Sequence, residues 1–383
     1  MNLTFQRLMR EATRLTSGGK LQAATAAIQR ALAGSTSRPT GPVPAGTMAT
    51  ATTAVLDGYV FEQPVAAPGW TPTPAPMPLP KAAAESAGPG AFVAGSHQHA
   101  GLTLGYKLYV PPGASGKPLP LVVMLHGCTQ DPDDFAAGTG MNELARAQGF
   151  LVLYPAQSKG ANPARCWNWF KHNHQGRSGG EAAVIASMTQ AVMHERGADP
   201  ARIYIAGLSA GGAMAANVAA AHPEVFAAVG VHSGLAPGAA RSLPEGLAAM
   251  RAGASASKAA AAQTGRGSAV RTIVFHGDQD PTVHPKNGDQ VIAAVLASAA
   301  QSATGATRDP VVEKGVTLKG QRFTRTVHGN EGGPALAEHW VLHGAGHAWS
   351  GGQAAGSYTD ANGPDASQAM LLFFFSPAAH VTH

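Results

Sequence analysis

The chain has 383 residues, of which 44% are hydrophobic and 13% charged, and its formal net charge is +5. This composition allows a sizeable core, and the length allows two or three domains. The basic residues form no long run, so they indicate a general surface charge and argue against a nucleic-acid site. No apolar stretch is long enough to predict a transmembrane helix.

Two helical patterns occupy residues 1–33. Apolar side chains recur at helical spacing from Phe5 to Leu15 and again from Leu21 to Leu32, on either side of a Gly-Gly break. We expect a helical hairpin that packs on its own protein, with docking on a partner or a surface as the alternative. The start of the chain lacks the continuous apolar segment of a Sec signal peptide, which predicts a cytoplasmic protein or one exported by a non-Sec route.

Residues 34–95 are rich in Pro, Ala, Gly and Thr, as in the segment Trp70–Pro80. This composition favours an extended polyproline II conformation and predicts a linker. Residues 96–383 are then expected to form the main folded domain.

From residue 96 onwards, apolar runs of strand length alternate with helical patterns. Such alternation predicts an α/β fold with a doubly wound, mostly parallel sheet. Residues 106–110 alternate in polarity and predict an antiparallel edge strand, whereas residues 119–125 form the continuous apolar run of a strand covered on both faces. Residues 235–268, rich in Ala, Gly and Ser, predict a lid or a mobile insertion. Further strands are predicted at 150–154, 202–206, 227–232, 272–276, 323–327 and 339–342, and helices at 132–148, 180–196, 210–222, 286–300 and 365–375.

The segment Gly207-Leu-Ser-Ala-Gly211 joins the predicted strand at 202–206 to the helix that follows it. It fits the G-x-S-x-G pattern of a nucleophile elbow, in which a strained turn exposes the serine and small residues let strand and helix approach. Ser209 is therefore the candidate nucleophile, with a glycine-rich packing turn as the alternative. A second match, Gly176–Gly180, follows a polar segment and no strand, so we interpret Ser178 as a loop residue.

A serine nucleophile needs a base and an acid, and in a doubly wound sheet these follow the carboxyl ends of later strands. Two aspartates follow the strand that ends at His276. We predict Asp280 as the acid, with Asp278 as the alternative acid, and otherwise expect Asp278 to cap or brace the loop. His347 follows the last predicted core strand and is the predicted base. His343 is expected to be structural, since the glycines between it and His347 do not favour the helix of an H-E-x-x-H metal site.

The oxyanion formed by such a serine requires two N–H donors. Ala210 follows the candidate nucleophile, and Cys128 follows the first buried strand; their backbone N–H groups are the predicted donors. The second cysteine of the chain is Cys166. A disulfide between Cys128 and Cys166 and a buried free thiol are both left open, because a sequence does not give the distance between them.

Three tryptophans, Trp167, Trp169 and Trp349, lie next to the predicted catalytic loops. They are interpreted with equal weight as a substrate-contact surface at the rim of the site and as core residues, since core packing is the usual fate of tryptophan.

Taken together, these motifs resemble the polyhydroxybutyrate (PHB) depolymerase family of esterases in the α/β-hydrolase superfamily. The resemblance implies a serine carboxylesterase with Ser209, Asp280 and His347 as its triad, and the H-G-x-x-D-x-x-V spacing usual among relatives favours Asp280 over Asp278. The matching segments, in the family's order over residues 98–376, are Leu125-His-Gly-Cys-Thr-Gln130, Cys166-Trp-Asn-Trp-Phe170, Gly207-Leu-Ser-Ala-Gly-Gly-Ala-Met214, His276-Gly-Asp-Gln-Asp-Pro-Thr-Val283 and His343-Gly-Ala-Gly-His-Ala-Trp-Ser-Gly-Gly352.

The expected activity is hydrolysis of a carboxylic ester through an acyl-enzyme, without a metal or an organic cofactor. Short-chain hydroxyalkanoate polyesters or oligomers of the PHB type, and small esters, are the expected substrates. The family resemblance also includes feruloyl and acetylxylan esterases, which are one alternative. The other is a granule- or surface-binding protein on a hydrolase fold, attached through the N-terminal hairpin.

Overall fold

The computed structural model describes residues 53–56, 59–62, 88–114, 117–255, 270–302, 308–329 and 333–376. The helical hairpin predicted over residues 1–33 lies outside the described residues, as does most of the linker predicted over 34–95. The strands are β1 (Thr53–Leu56), β2 (Tyr59–Glu62), β3 (Ala91–His99), β4 (Leu102–Val110), β5 (Leu121–Leu125), β6 (Leu151–Ala156), β7 (Ile203–Leu208), β8 (Ala228–His232), β9 (Arg271–Gly277), β10 (Val311–Thr317), β11 (Arg322–Gly329), β12 (Ala335–Leu342), β13 (Trp349–Ser350) and β14 (Thr359–Asp360).

Twelve of these strands form one sheet in the order β1-β2-β10-β11-β12-β9-β8-β7-β5-β6-β4-β3, and β13 and β14 form a small separate ribbon. The six central strands, from β12 to β6, are mutually parallel. Antiparallel pairs extend the sheet on both sides. The predicted doubly wound, mostly parallel core is therefore present, and the carboxyl ends of its strands lie along one edge.

The central strands are buried on both faces, which explains their continuous apolar runs. Every residue of β5 is buried. Because successive side chains of a strand point to opposite faces, Leu121, Val123 and Leu125 belong to one core cluster, whereas Val122 and Met124 belong to the other. The sheet thus separates two hydrophobic cores.

Helices cover both faces of the sheet. They are α1 (Pro132–Thr139), α2 (Met141–Gln148), α3 (Gly180–Arg196), α4 (Ala210–Ala221), α5 (Leu243–Ala252), α6 (Lys286–Ser302) and α7 (Ala366–Phe375), with a short 3-10 turn at His172–His174. Residues of α3, α4 and α6 contribute to the first core, and residues of α1, α2 and α7 contribute to the second.

The single helix predicted over 132–148 is two helices, because Gly140 adopts a left-handed conformation with φ 63° between α1 and α2. Helix α1 begins at Pro132, after Asp131, whose side chain accepts a hydrogen bond from the N–H of Asp134 at 3.1 Å. Gly149, with φ 75°, ends α2. The apolar periodicity runs through Gly140, so periodicity alone did not indicate the break.

The strand at residues 106–110 is not an edge strand. It is the end of β4, which pairs with β6 on one side and with β3 on the other. Strand β3 lacks the alternating apolar pattern, since it contains Gly95 and several polar residues. A side chain at Gly95 would overlap the ring of Tyr106 across the pair, so the glycine provides the space for that ring.

The opposite edge of the sheet contains part of the predicted linker. Strands β1 and β2 pair with each other in antiparallel fashion, and β2 pairs with β10. In the sequence, Asp57-Gly58 separates β1 from β2. An Asp-Gly pair between two alternating segments is a strong hairpin signal. The Pro- and Ala-rich composition of residues 34–95 concealed that signal, and β10 was not predicted either.

The insertion predicted at 235–268 contains helix α5 (Leu243–Ala252), and residues 256–269 lie outside the described part. Leu243 and Leu247 of α5 are exposed, while Ala249 is buried. Among the described residues, no helix has the length and apolar character needed to cross a bilayer.

Candidate active site

Four loops follow the carboxyl ends of neighbouring parallel strands. Cys128 follows β5, Ser209 follows β7, Asp280 follows β9 and His347 follows β12. Because these strands are parallel and adjacent in the order β12-β9-β8-β7-β5, all four loops emerge at the same edge of the sheet.

Ser209 occupies a sharp turn between β7 and α4. Its backbone has φ 58° and ψ −118°, a conformation that costs free energy for any residue other than glycine. The turn is held by a hydrogen bond from the Ser209 N–H to the carbonyl oxygen of His232, at 2.8 Å. Ser209 is half-buried, whereas Ser178 lies exposed in the loop before α3 with no strand leading into it.

Two glycines allow β7 and α4 to approach each other at this turn. A Cβ atom on Gly207 would lie 2.5 Å from the carbonyl group of Gly211. A Cβ atom on Gly211 would overlap the carbonyl oxygen of Leu125 in β5. The first and last positions of the G-x-S-x-G pattern are therefore glycine for a steric reason that the structure makes explicit.

His347 and Asp280 form a buried hydrogen-bonded pair. Nδ1 of His347 lies 2.6 Å from Oδ2 of Asp280, and their side chains are 10% and 0% exposed. The other carboxylate oxygen of Asp280 accepts the N–H groups of Thr282 and Val283 at 2.8 and 2.9 Å. Since the carboxylate can only accept, Nδ1 of His347 carries the proton and Nε2 is the basic nitrogen.

The carboxyl group of Asp280 is ionised despite its burial. Burial raises its pKa, but hydrogen bonds from His276 and His347 and from the N–H of Val283 favour the charged form more strongly, so the pKa lies well below its usual range. Nε2 of His276 lies 3.4 Å from Oδ2 of Asp280 and 2.8 Å from the carbonyl oxygen of Val283. The negative charge is therefore fixed beside His347.

Asp278 and His343 form a second, more exposed pair. Nδ1 of His343 lies 2.9 Å from Oδ2 of Asp278, and the N–H of Gly344 donates to Oδ1 of Asp278 at 2.6 Å. Nε2 of His343 lies 2.8 Å from Oγ1 of Thr324 in β11. This pair braces the loop of His347 against the loop of Asp280. Within the described ranges, no cluster of three or more His, Cys, Asp or Glu side chains is arranged to hold a metal ion.

The loop after β5 and the start of α4 contain the predicted oxyanion donors. The N–H of Gly127 is already bonded to Oε1 of Gln130 at 2.9 Å, so Cys128 supplies the next backbone N–H of that loop. Ala210 is the first residue of α4, where backbone N–H groups have no partner within the helix. The positive end of the helix dipole lies at the same position.

A disulfide joins Cys128 to Cys166 in the structure. On either side of it, the N–H of Thr129 donates to the carbonyl oxygen of Ala164 at 2.6 Å, and Arg165 forms an ion pair with Asp131 at 2.9 Å. Of the two states left open by the sequence, the bridge is the one observed. It ties the loop after β5 to the loop that precedes α3.

The three tryptophans do not line an exposed rim. Trp167, Trp169 and Trp349 are 0%, 5% and 1% exposed. Nε1 of Trp167 donates to the carbonyl oxygen of His126 at 3.0 Å, and Nε1 of Trp349 donates to Oγ of Ser367 at 3.0 Å. This burial corrects the substrate-contact interpretation and agrees with core packing, which leaves the tryptophans as supports of the loops.

Two buried polar residues of the site were not singled out from the sequence. His232 ends β8, where its carbonyl oxygen accepts the N–H of Ser209 and its Nε2 accepts the N–H of Ser350. Glu181 accepts hydrogen bonds from the backbone and side chain of Asn168 and from Gln157. The available signal for His232 was a polar residue at the carboxyl end of an apolar strand. Glu181 had no such signal, because an acidic residue in the first turn of a helix is common.

The parallel sheet with helices on both faces, together with the loops at its carboxyl edge, defines an α/β-hydrolase fold. Residues 104–317 match the family model described as Esterase PHB depolymerase, and the chain belongs to this family. The match includes Ser209 and Asp280 and ends before His347.

Curated relatives also match a part of the chain. Poly(3-hydroxyalkanoate) depolymerase C of Paucimonas lemoignei is 32% identical over 246 residues, which are 62% of this chain and 57% of that protein. Feruloyl esterase B of Thermothelomyces thermophilus is 30% identical over 48% of this chain and 67% of its own length. Acetylxylan esterase A of Emericella nidulans is 29% identical over 48% and 64%. The chain thus spans about half to two thirds of the length of these relatives.

Among solved structures, an acetyl xylan esterase from Aspergillus awamori aligns with a TM-score of 0.52 and 21% sequence identity. The alignment covers 67% of this chain and 94% of that one. This likeness supports the α/β-hydrolase fold.

Proposed function

We propose that the protein is a carboxylic ester hydrolase that works through an acyl-enzyme on Ser209. The observation that carries the proposal is the buried hydrogen bond between His347 and Asp280. These two residues follow β12 and β9, and the Ser209 elbow follows β7 at the same edge of the parallel sheet. Membership of the PHB depolymerase esterase family supports the same activity.

The reaction follows from the protonation states of these groups. Nε2 of His347 takes the proton of Ser209 as Oγ attacks the ester carbonyl, and the negative charge of Asp280 stabilises the imidazolium that forms. The N–H groups of Cys128 and Ala210 hold the oxyanion. The alcohol leaves with the proton from His347. A water molecule, deprotonated by His347, then attacks the acyl group, and the acid leaves with Ser209 restored.

Short-chain hydroxyalkanoate esters, either oligomers or polyesters of the PHB type, are the proposed substrates, with small esters included. The relative named as a poly(3-hydroxyalkanoate) depolymerase supports this choice. A feruloyl or acetylxylan ester is the second candidate, because relatives with those names have nearly the same identity to this chain.

The test is hydrolysis of p-nitrophenyl esters of increasing acyl length by the wild-type protein and by Ser209→Ala. We expect Ser209→Ala to lose turnover by a factor on the order of 10⁴ or more. Ser178→Ala is the matched control, since it changes the other G-x-S-x-G serine and should retain full activity. Retained turnover in Ser209→Ala would overturn the mechanism.

Substrate class is tested with the same enzyme preparations on soluble 3-hydroxybutyrate oligomers, acetylated xylo-oligosaccharides and methyl ferulate. The highest kcat/KM is expected for the hydroxybutyrate oligomers. A higher kcat/KM for either of the other two substrates would replace the PHB-type proposal with the second candidate.

A protein that only binds a polymer granule is a third candidate, with residues 1–33 as a helical attachment hairpin and the following residues as its linker. The deletion that tests it should stop before β1, because β1 and β2 belong to the sheet. Removal of residues 1–52 is expected to leave ester turnover unchanged. Loss of granule binding in this variant would support attachment through the hairpin, and inactivity of the intact protein on every ester would favour the binding protein over the enzyme.

A further inference from the structure

His232 ends the strand that separates the nucleophile strand from the acid strand. In the sheet register, it lies opposite Leu208 of β7 on one side and Phe275 of β9 on the other. Leu208 immediately precedes Ser209, and Phe275 lies five residues before Asp280. His232 is fully buried, and the mechanism above assigns no role to its side chain.

The backbone of this turn is bonded to both neighbouring strands. The carbonyl oxygen of His232 accepts the N–H of Ser209 at 2.8 Å. The N–H of Ser233 donates to the carbonyl oxygen of Phe275, also at 2.8 Å. The end of β8 therefore fixes the distance between the nucleophile elbow and the acid strand.

The side chain of His232 extends these contacts to the third loop. Its ring stacks with the rings of Phe275 and Trp349, with centroid distances of 5.7 and 5.1 Å and interplanar angles of 13° and 27°. Its Nε2 accepts the N–H of Ser350 at 3.0 Å. Trp349 and Ser350 are two and three positions after His347, so this contact holds the end of the base loop.

The bond to Ser350 requires a neutral ring. Nε2 accepts a hydrogen bond, so the ring proton is on Nδ1, which lies 3.2 Å from Oγ of Ser233. Burial, with the nearby His276 and His347, lowers the pKa of His232 to about 3, although Asp280 acts in the opposite direction. The acceptor at Nε2 is thus retained throughout the neutral pH range.

We infer that His232 is a positioning residue for the proposed ester hydrolysis. Its backbone carbonyl group holds Ser209, and its neutral imidazole holds the loop of His347 in position relative to Ser209. The inference rests on the proposed function, because it concerns the alignment of the proposed nucleophile and base. A base displaced by about 1 Å is enough to cost on the order of 10²-fold in rate.

Two substitutions separate the hydrogen bond from the ring packing. His232→Phe keeps an aromatic ring in contact with Phe275 and Trp349 and removes the acceptor for Ser350. His232→Gln removes the ring and keeps an acceptor near the position of Nε2. We expect His232→Phe to lower kcat by about 10- to 100-fold with KM nearly unchanged, and His232→Gln to recover most of that loss.

His97→Phe is the matched control. His97 lies on β3, where its Nε2 is 2.9 Å from Oγ of Ser187, and it should tolerate the same exchange with wild-type kcat. Full activity in His232→Phe together with a loss in His232→Gln would indicate that only the packing of the ring matters, and would overturn the inference. Equal losses in the two variants would show that an acceptor at this position does not restore the base loop, and would overturn it as well.

Amide hydrogen exchange tests the tether without relying on turnover. A peptide spanning residues 343–352 should exchange faster in His232→Phe than in the wild type, and at the wild-type rate in His232→Gln. An unchanged rate in His232→Phe would contradict the tether. If the wild-type protein hydrolysed no ester, the proposed function would fail, and the exchange comparison would still decide whether His232 holds the loop.

Discussion

The imidazole of His347 and the carboxylate of Asp280 meet across 67 positions of sequence, with Nδ1 and Oδ2 2.6 Å apart. A similar pair, His343 and Asp278, lies beside them with a distance of 2.9 Å. The two pairs differ in burial: the side chain of Asp280 is fully buried, whereas that of Asp278 is 33% exposed. Only the buried pair has the enclosed environment in which a fixed carboxylate acts strongly on an imidazole.

Asp280→Asn should lower kcat by about 10³- to 10⁴-fold. The amide oxygen can still accept the N–H groups of Thr282 and Val283, so the loop should keep its shape. The amide NH₂ would then face Nδ1 of His347 and favour the tautomer that carries its proton on Nε2, which cannot accept the proton of Ser209. Steady-state kinetics on a p-nitrophenyl ester measure the effect.

Asp278→Asn is the control for that substitution. It alters the exposed pair by the same change in atoms, and we expect a loss in kcat of less than about tenfold. A larger loss in Asp278→Asn than in Asp280→Asn would show that the two aspartates had been assigned in the wrong order.

Removal of the Cys128–Cys166 bridge should affect stability and activity together. The bridge spans 38 positions of sequence, for which the loop-entropy model predicts a stabilisation of about 4 kcal/mol. Because Cys128 belongs to the loop proposed to bind the oxyanion, the double variant Cys128→Ser/Cys166→Ser should also have a lower kcat at temperatures where it remains folded. Urea unfolding and ester kinetics on the same samples separate the two effects, and wild-type values in both would contradict the prediction.

Gly211→Ala should disrupt the elbow, because the added Cβ would overlap the carbonyl oxygen of Leu125. The backbone of β5 and α4 would have to separate, at a cost of roughly 1–3 kcal/mol or more in the free energy of unfolding, as for other overpacked sites. Gly346→Ala is the control, since no atom lies within 4 Å of its added Cβ although it neighbours His347. Equal melting temperatures for the two variants would contradict the steric argument.

The free energy of unfolding should fall as the pH decreases from about 6.5 to 4. Burial is the main cause that lowers the pKa of His339 to about 4, from 6.5 in the unfolded chain, although Asp289 acts in the opposite direction. His232 behaves in the same way, with a pKa of about 3. Between these values and 6.5 the unfolded chain binds more protons than the folded one, so each group contributes a slope of up to about 1.4 kcal/mol per pH unit.

His339→Gln removes one of these groups and should make the pH dependence less steep over the same interval. Urea unfolding at pH 7, 6, 5 and 4 measures the slope for both proteins. Asp280 acts at lower pH: its depressed pKa gives stability that is present above about 4 and is lost as the pH falls further. An unchanged slope in His339→Gln would show that His339 does not remain neutral in the folded protein.

Local sequence patterns were sufficient for the central sheet. Helix α3 was predicted at 180–196, where the structure has it, and strands β8 and β9 were predicted to within one residue at each end. A continuous apolar run identifies a strand that is buried on both faces, because helices cover both sides of the sheet at that strand. The edges of the sheet were predicted less well. Strand β3 contains several polar residues, and β1 and β2 lie in a proline-rich part of the sequence, so these strands are defined by pairing with their neighbours and not by an apolar pattern.

The sequence by itself determined the Ser209 turn, because the G-x-S-x-G spacing acts within five residues and needs only a strand before it and a helix after it. Only the tertiary structure decided which aspartate meets His347, that the two cysteines are joined, that the three tryptophans are buried, and that His232 bonds to Ser350 across 118 positions. Each of these depends on the distance between residues far apart in the chain. That distance is set by strand order and register, for which short motifs contain no information.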